Sequence, residues 1–331
     1  MQEFLIGENE AGQRLDKYLK KKLNQAQASF LYKMLRKKNI VLNGKKADGS
    51  EKLYANDIVK MFLSDETIEK FSGTVVDTSM QNLRYPSVHL DILYEDEDIL
   101  VINKPAGMLS QKAAPTDISA NEYIIGYLLR ENVITPDALA TFKPSICNRL
   151  DRNTSGILIA GKTVRGLQSM AEQLKQRSVR TYYCCLVLGH VPAEEEIAGW
   201  LWKDEKNNKV TISGTEKPES SFIRTGYRPL EQFSGFTLLE VHLITGRSHQ
   251  IRAHLASIGH PIVGDPKYGD LRVNQRFRRQ CGVKSQLLHA CRMEFPDGKR
   301  VEAPLPEEFL QAVAYLKTTP GQRENNRKES S

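Results

Sequence analysis

Asn148-Arg149-Leu150-Asp151-Arg152-Asn153-Thr154-Ser155-Gly156 sets one carboxylate between two arginines in a segment rich in turn-forming residues. Positive charge on either side favours the ionised form of an acid, and an ionised Asp151 can act as nucleophile or base. Taken alone, an Asp before Asn-Thr-Ser-Gly more often caps a loop, so the meaning of this stretch depends on what accompanies it.

The residues that follow carry a pattern with another meaning. Gly156-Ile157-Leu158-Ile159-Ala160-Gly161-Lys162-Thr163 fits the G-x-x-x-x-G-K-(S/T) form of a nucleotide-binding P-loop, which needs flexible residues whose backbone N–H groups wrap a phosphate. Here the intervening Ile-Leu-Ile-Ala run calls for burial in a strand, and that strand follows the first glycine, which inverts the required order of strand, loop and helix. No ATP or GTP is expected to bind. His249 and His254 are five apart, which misses the i, i+4 spacing of a zinc-binding helix, so no metal is expected either.

Three further stretches stand in order along the chain: Ile102-Asn103-Lys104-Pro105-Ala106-Gly107, Arg180-Thr181-Tyr182-Tyr183-Cys184-Cys185-Leu186-Val187-Leu188-Gly189, and Gly246-Arg247-Ser248-His249-Gln250-Ile251-Arg252-Ala253-His254. With the Asp151 segment they resemble the motifs of the RluA/RluD-type pseudouridine synthases, and four matches in order are far more specific than one short pattern. The usual His-Arg-Leu-Asp of that family reads Asn148-Arg149-Leu150-Asp151 here. The amide keeps hydrogen-bonding capacity but does not titrate near neutral pH as an imidazole does.

The resemblance implies an RNA pseudouridine synthase. In that reaction the bond from ribose to ring nitrogen breaks, the uracil turns, and the sugar joins ring carbon five. No redox change or net hydrolysis occurs, so no cofactor is expected. The resemblance also implies that Asp151 is the essential carboxylate, attacking the sugar or taking a proton from it, that Arg252 pairs with it, and that Tyr183 packs against the target base. Tyr182 and Tyr183 face opposite ways in a strand, so at most one of them lines the pocket. A uracil in folded RNA must leave its stack to be reached. Arg149 is then expected to enter the vacated space, where a flat guanidinium can stack, while Lys104 and Arg247 are expected to contact phosphates.

A chain of 331 residues suggests about two domains. The net charge of +7 is unevenly placed: residues 13–46 hold 11 Lys/Arg and one acid, and residues 247–300 hold 11 Lys/Arg and four acids. Two basic regions suit a polyanion, because phosphate neutralisation releases counterions. Leu15, Tyr18, Leu19 and Leu23 have helical spacing, and Ser29 is expected to cap a second helix that buries Phe30, Leu31, Met34 and Leu35. Lys33, Arg36, Lys37 and Lys38 then face outward as RNA contacts. Ile40-Val41-Leu42, an Asn43-Gly44 turn and a returning strand over 57–63 complete a helix-helix-hairpin unit, which resembles the S-four-like RNA-binding domain that often precedes this catalytic domain.

The expected organisation is an RNA-binding domain over 12–63, a linker over 64–88, a catalytic domain over 89–317 and a disordered tail over 318–331. Within the catalytic part, strands over 90–94, 98–103, 157–160, 181–188, 236–243 and 286–295 and helices over 121–130 and 164–175 predict an α+β fold. The resemblance makes its sheet mixed and largely antiparallel. On Arg252's segment, Thr245 or Ser248 is expected to cap a helix that Gly259 ends. Five cysteines without Cys-x-x-Cys spacing predict reduced thiols, and with no membrane-length apolar run a cytoplasmic, monomeric protein is expected. Ribosomal RNA is the leading substrate, with transfer RNA as the alternative and a non-catalytic RNA-binding assembly factor as the rival class.

Overall fold

The computed structural model describes residues 1–72, 85–86, 88–136, 138–204 and 209–318. The expected linker over 73–84 and 87, and the expected tail beyond Thr318, lie outside the described residues. The chain divides into two compact units. The first is Met1–Val101 with Ser110–Arg149 and Leu158–Glu172, and the second is Ile102–Leu109 with Leu150–Ile157 and Gln173–Ser331. This division does not follow the expected boundary near residue 88. Within the first unit the N-terminal elements pack directly on later ones: the Thr141 hydroxyl donates to the Glu10 carboxylate, and Gly12 sits against Val164.

In the first unit, strands β1 (Gln2–Leu5), β2 (Ile40–Leu42), β3 (Lys45–Lys46) and β4 (Ile58–Met61) form an antiparallel sheet in the order β1-β4-β2-β3. Helices α1 (Leu15–Lys22) and α2 (Ala28–Arg36) cover it. Their apolar residues recur at three and four, so Leu15, Tyr18, Leu19, Leu31 and Leu35 meet Ile40, Val59 and Met61 in one core. The turn between β2 and β3 is two residues long, with Asn43 and Gly44 both at positive φ (50° and 72°), as a type I′ hairpin requires. The 57–63 strand therefore pairs with the other edge of β2 and does not close the hairpin. β1 extends the module ahead of residue 12. Ser29 lies inside the first turn of α2, which starts at Ala28 after Gln27 without a side-chain cap.

The start of the expected linker is a helix, α3 (Asp65–Ser72). Ser64 Oγ accepts from the Thr67 amide, Ile68 is buried, and Phe71 packs on Phe30 with ring centroids 4.7 Å apart. Two apolar residues three apart were too short a pattern to separate this helix from a polar connection. The rest of the unit holds β5 (Ile92–Glu95), the first half of β6 (Ile99–Lys104), β7 (Ser145–Ile146), the end of β8 (Ser155–Gly161), α4 (Ala120–Arg130) and α5 (Val164–Lys175). A capping box of Ser119 and Glu122 starts α4.

The second unit is built on β9 (Arg180–Leu188), β10 (Glu195–Asp204), β11 (Lys209–Ser213), β12 (Ser221–Phe233), β13 (Phe236–Leu243), β14 (Leu288–Glu294) and β15 (Arg300–Glu302). The order β11-β10-β12-β13-β9-β14 is antiparallel throughout, β15 pairs β14, and the first residues of β8 lie parallel to β14. Helices α6 (Gln250–Ser257), α7 (Leu271–Cys281) and α8 (Glu307–Thr318) pack with it, and Leu186, Phe236, Phe277 and Phe309 share a core. Among the described residues the fold is thus α+β with a mixed, mainly antiparallel sheet. All five cysteines carry free thiols, and no described helix is long and apolar enough to cross a membrane.

Candidate active site

Sheet register sets the frame of the site. Tyr183 on β9 pairs with Val241 on one side and Ala290 on the other, and Ala290 pairs with Gly156. The loop that carries Asp151 therefore enters the sheet in line with Tyr183. Gly156 is obligatory at that entry, since its φ is +108° and an added Cβ would stand 2.2 Å from the Ala290 carbonyl oxygen.

The Asn103-Lys104-Pro105-Ala106-Gly107 stretch holds the same loop from the other direction. Lys104 Nζ donates to the carbonyls of Pro105 (3.0 Å), Met108 (2.9 Å) and Arg152 (3.0 Å). The Gly107 amide also donates to the Arg152 carbonyl (2.9 Å), and Arg152 Nε returns a bond to the Gly107 carbonyl (3.2 Å). Lys104 is fully buried, which corrects the expectation that it contacts phosphate. Burial pushes its ammonium down to about 7 against the opposing pull of Asp151, yet three carbonyl acceptors match the three protons of a charged amine. Its role is to pin the residue that follows Asp151.

Arg252 lies on α6, whose start is knitted by Gln250. Gln250 Oε1 accepts from the Arg247 amide (3.1 Å) and the Thr245 hydroxyl (2.9 Å), and Nε2 donates to the Arg224 carbonyl (2.9 Å). Neither Thr245 nor Ser248 is the N-cap; that position belongs to His249, in the left-handed region at φ 56°. Gly259, at φ +85°, stands just past the helix end as expected. Arg252 Nη1 donates to Asp151 Oδ2 at 2.7 Å. Its other edge grips Asp265 with two parallel bonds, Nε to Oδ2 at 2.7 Å and Nη2 to Oδ1 at 2.9 Å.

The three charges differ in burial: the Asp265 side chain is 0% exposed, that of Arg252 6% and that of Asp151 26%. Only Asp151 opens to solvent, as a reacting group must. Burial opposes the charge on Arg252, but the two carboxylates more than compensate and raise its pKa. Burial likewise pushes Asp265 up, and the hydrogen bonds and charge of Arg252, with the Lys267 and Tyr268 amides, bring it below the usual carboxylate range. His249 Nε2 stands 3.9 Å from Asp151 Oδ2 while its Nδ1 meets the Tyr268 hydroxyl at 3.0 Å. Burial lowers the pKa of His249 despite the charge of Asp151.

Tyr183 is buried, and its phenol is raised by burial first and then by the charge of Asp151. Tyr182 is engaged on the opposite side, stacked on His242 at 4.9 Å and covered by the Arg292 guanidinium at 4.0 Å, so Tyr183 is the member of the pair placed with Asp151. Arg149 and Arg247 are exposed. Asn148 Oδ1 accepts from the Ile159 amide at 2.8 Å, which gives this departure from His-Arg-Leu-Asp a place in the backbone ladder of β8. The P-loop-like Gly156–Thr163 run supplies that buried strand, and His254 is buried against the Thr225 hydroxyl (2.9 Å).

Sequence reading missed Asp265 and Tyr268. Their one signal is the turn chemistry of Gly264-Asp265-Pro266-Lys267-Tyr268-Gly269, which predicts a loop but not a buried acid in need of a cation.

A half-open carboxylate aimed by a buried guanidinium and set beside a strand tyrosine is the site of an enzyme working through nucleophilic or acid–base chemistry. Comparison with known proteins gives this class its reaction. A family model described as RNA pseudouridylate synthase matches residues 98–257. The ribosomal large subunit pseudouridine synthase C of Vibrio cholerae is 31% identical over 318 residues, which cover 94% of this chain and 96% of that protein. The ribosomal large subunit pseudouridine synthase D of Nitrosomonas europaea is 31% identical over 324 residues, 95% of this chain and 88% of that protein. Human RNA pseudouridylate synthase domain containing 4 shares the fold, with a TM-score of 0.57 at 20% identity over 69% of this chain and 93% of its own. The chain belongs to the RluA/RluD-type RNA pseudouridine synthase family.

Proposed function

We propose that this enzyme isomerises specific uridines of large-subunit ribosomal RNA, with Asp151 as its essential carboxylate. The observation that carries the reading is the 2.7 Å pair of Arg252 and Asp151 at a position where the carboxylate remains open to a substrate. Asp151 attacks the sugar of the flipped nucleotide or takes a proton from it, the glycosidic bond to ring nitrogen breaks, and the uracil turns against Tyr183. Ring carbon five then bonds the sugar, which releases the Asp151 carboxylate or takes back the proton it removed, and carbon five loses its own proton to solvent while the freed ring nitrogen gains one. Arg149, exposed near the start of the Asp151 loop, fills the space the nucleotide leaves, and exposed Arg247 contacts phosphate.

The ribosomal target is supported by relatives from two organisms whose names specify the large ribosomal subunit; neither transfer RNA nor a purely structural role is favoured. The N-terminal helix-helix-hairpin module acts as an S-four-like docking domain through Lys33, Arg36, Lys37 and Lys38, all exposed, in a cytoplasmic protein that works as a monomer without metal or nucleotide. The test follows label released from ring carbon five of uridine in ribosomal RNA. Asp151→Ala should release none while binding RNA within about twofold of the parent, since the carboxylate acts in the chemical step. Turnover by the Ala variant, or pseudouridine mapped only to transfer RNA, would overturn the reading.

A further inference from the structure

Asp265 is 0% exposed and its carboxylate accepts four hydrogen bonds. Oδ1 accepts from the amides of Lys267 (2.8 Å) and Tyr268 (3.1 Å) and from Arg252 Nη2, and Oδ2 accepts from Arg252 Nε. A turn cap needs the two amides alone. The paired guanidinium bonds are additional, and they decide which edge of Arg252 remains for Asp151. The turn itself is held from behind: Asn274 Nδ2 donates to the Asp265 carbonyl (2.8 Å), Asn274 Oδ1 accepts from the Gly264 amide (2.7 Å), and a Cβ on Gly264 would meet the Ser285 carbonyl at 2.2 Å.

We propose that Asp265 is a positioning residue for the reaction at Asp151, acting through Arg252 by fixing the orientation of the guanidinium and by sharing its positive charge. The inference rests on the catalytic reading of Asp151 given above. The fork geometry leaves Arg252 no rotation that keeps both bonds to Asp265, so Nη1 is delivered to one place. Charge sharing matters as much. One cation between two carboxylates leaves the group with a net negative charge, whereas an isolated Arg–Asp pair is neutral and its carboxylate is a weaker nucleophile and base. Asp265 thus lets Arg252 aim Asp151 without quenching it.

The other groups bearing on this cluster are His249 at 3.9 Å from Asp151, buried Lys104, Tyr183, the Tyr268 ring 5.3 Å from the Arg252 guanidinium carbon, and Lys267. All of them are kept in the variants that test the idea. Asp265→Asn retains the shape of the side chain and loses its charge. Its single-turnover rate on saturating RNA should fall by roughly 10²-fold, the scale of a misplaced reacting group. RNA affinity should stay unchanged, so the loss falls on the chemical step alone. A residue that only supports the turn would lower the fraction of active enzyme, read as the single-turnover amplitude, and leave the rate constant where it was.

A second comparison does not depend on the single variant folding. Arg252→Gln and the double variant Arg252→Gln with Asp265→Asn should share one rate, since Asp265 has nothing left to act through. An Asp265→Asn rate constant equal to that of the parent overturns the proposal, and so does a further loss of rate in the double variant. Failure of the parent itself to release label from ring carbon five would instead refute the assigned reaction.

Discussion

Arg252 in the second unit is 6% exposed and directs both edges of its guanidinium at carboxylates, whereas Lys33 and Arg36 on α2 of the first unit and Lys37 and Lys38 just past its end are exposed and form no ion pair among the described residues. The cations carry the same charge in different dielectric surroundings. A buried, paired charge acts over a few ångströms, is little screened by salt, and fixes geometry. Unpaired surface charge acts over a Debye length, responds to ionic strength, and gathers a polyanion without orienting it. Chemistry and docking therefore fall to different cations, and each can be removed separately.

Removing the buried one should have the largest effect. Arg252→Met leaves Asp265 buried with no cation, and breaking a buried pair in this way costs about 3–5 kcal/mol of stability. Label release from ring carbon five should slow by more than the roughly 10²-fold expected of Asp265→Asn. Denaturant unfolding gives the first quantity and single-turnover kinetics the second. A stable and active Met variant would show that neither carboxylate depends on the guanidinium.

The surface cations should give a smaller effect of another kind. Replacing Lys33, Arg36, Lys37 and Lys38 together by Gln should lower the slope of log affinity against log salt by up to about 3–4, since each phosphate contact contributes roughly 0.7–0.9. The rate at saturating RNA should hold, because binding energy made far from the reacting sugar serves affinity there. Salt titrations of RNA binding compare the two proteins directly. Equal slopes would mean that α2 does not touch RNA.

These regions also differ in how far their sequences could be read. The α2 face follows from helical spacing within nine residues, so outward-facing cations can be counted without a structure. The motifs around Asp151, Tyr183 and Arg252 are equally visible because each is a short run of adjacent residues. What ties them together is not local: Arg252 and Asp151 are 101 residues apart, and the Gly-Asp-Pro turn that supplies Asp265 shows no sign of its partner. Strand β12 escaped notice because Gly226 and Pro229 interrupt a run whose alternation emerges only in its burial, with Ile223, Thr225 and Tyr227 inward and Phe222 and Arg224 outward. The helix after Ser64 offers too few apolar residues to declare itself until Phe71 is seen on Phe30.

Lys104 is where the comparison is sharpest, because its sequence context, a lysine before proline, fits an exposed phosphate contact and its environment makes it a buried tether. The two roles separate under salt. Loss of a phosphate contact would lower the salt slope of RNA binding by roughly 0.7–0.9, whereas loss of an internal tether leaves the slope where it was. In Lys104→Met the apolar stem is nearly preserved, but the carbonyls of Pro105, Met108 and Arg152 lose their shared donor. Each buried acceptor left unpaired costs on the order of 1–3 kcal/mol, and the Arg152 carbonyl keeps one partner in the Gly107 amide. The expected result is an unchanged salt slope, a lower melting temperature, and a slower chemical step as the loop after Asp151 loosens. A slope reduced by about one, with melting unaffected, would return Lys104 to the RNA-facing surface.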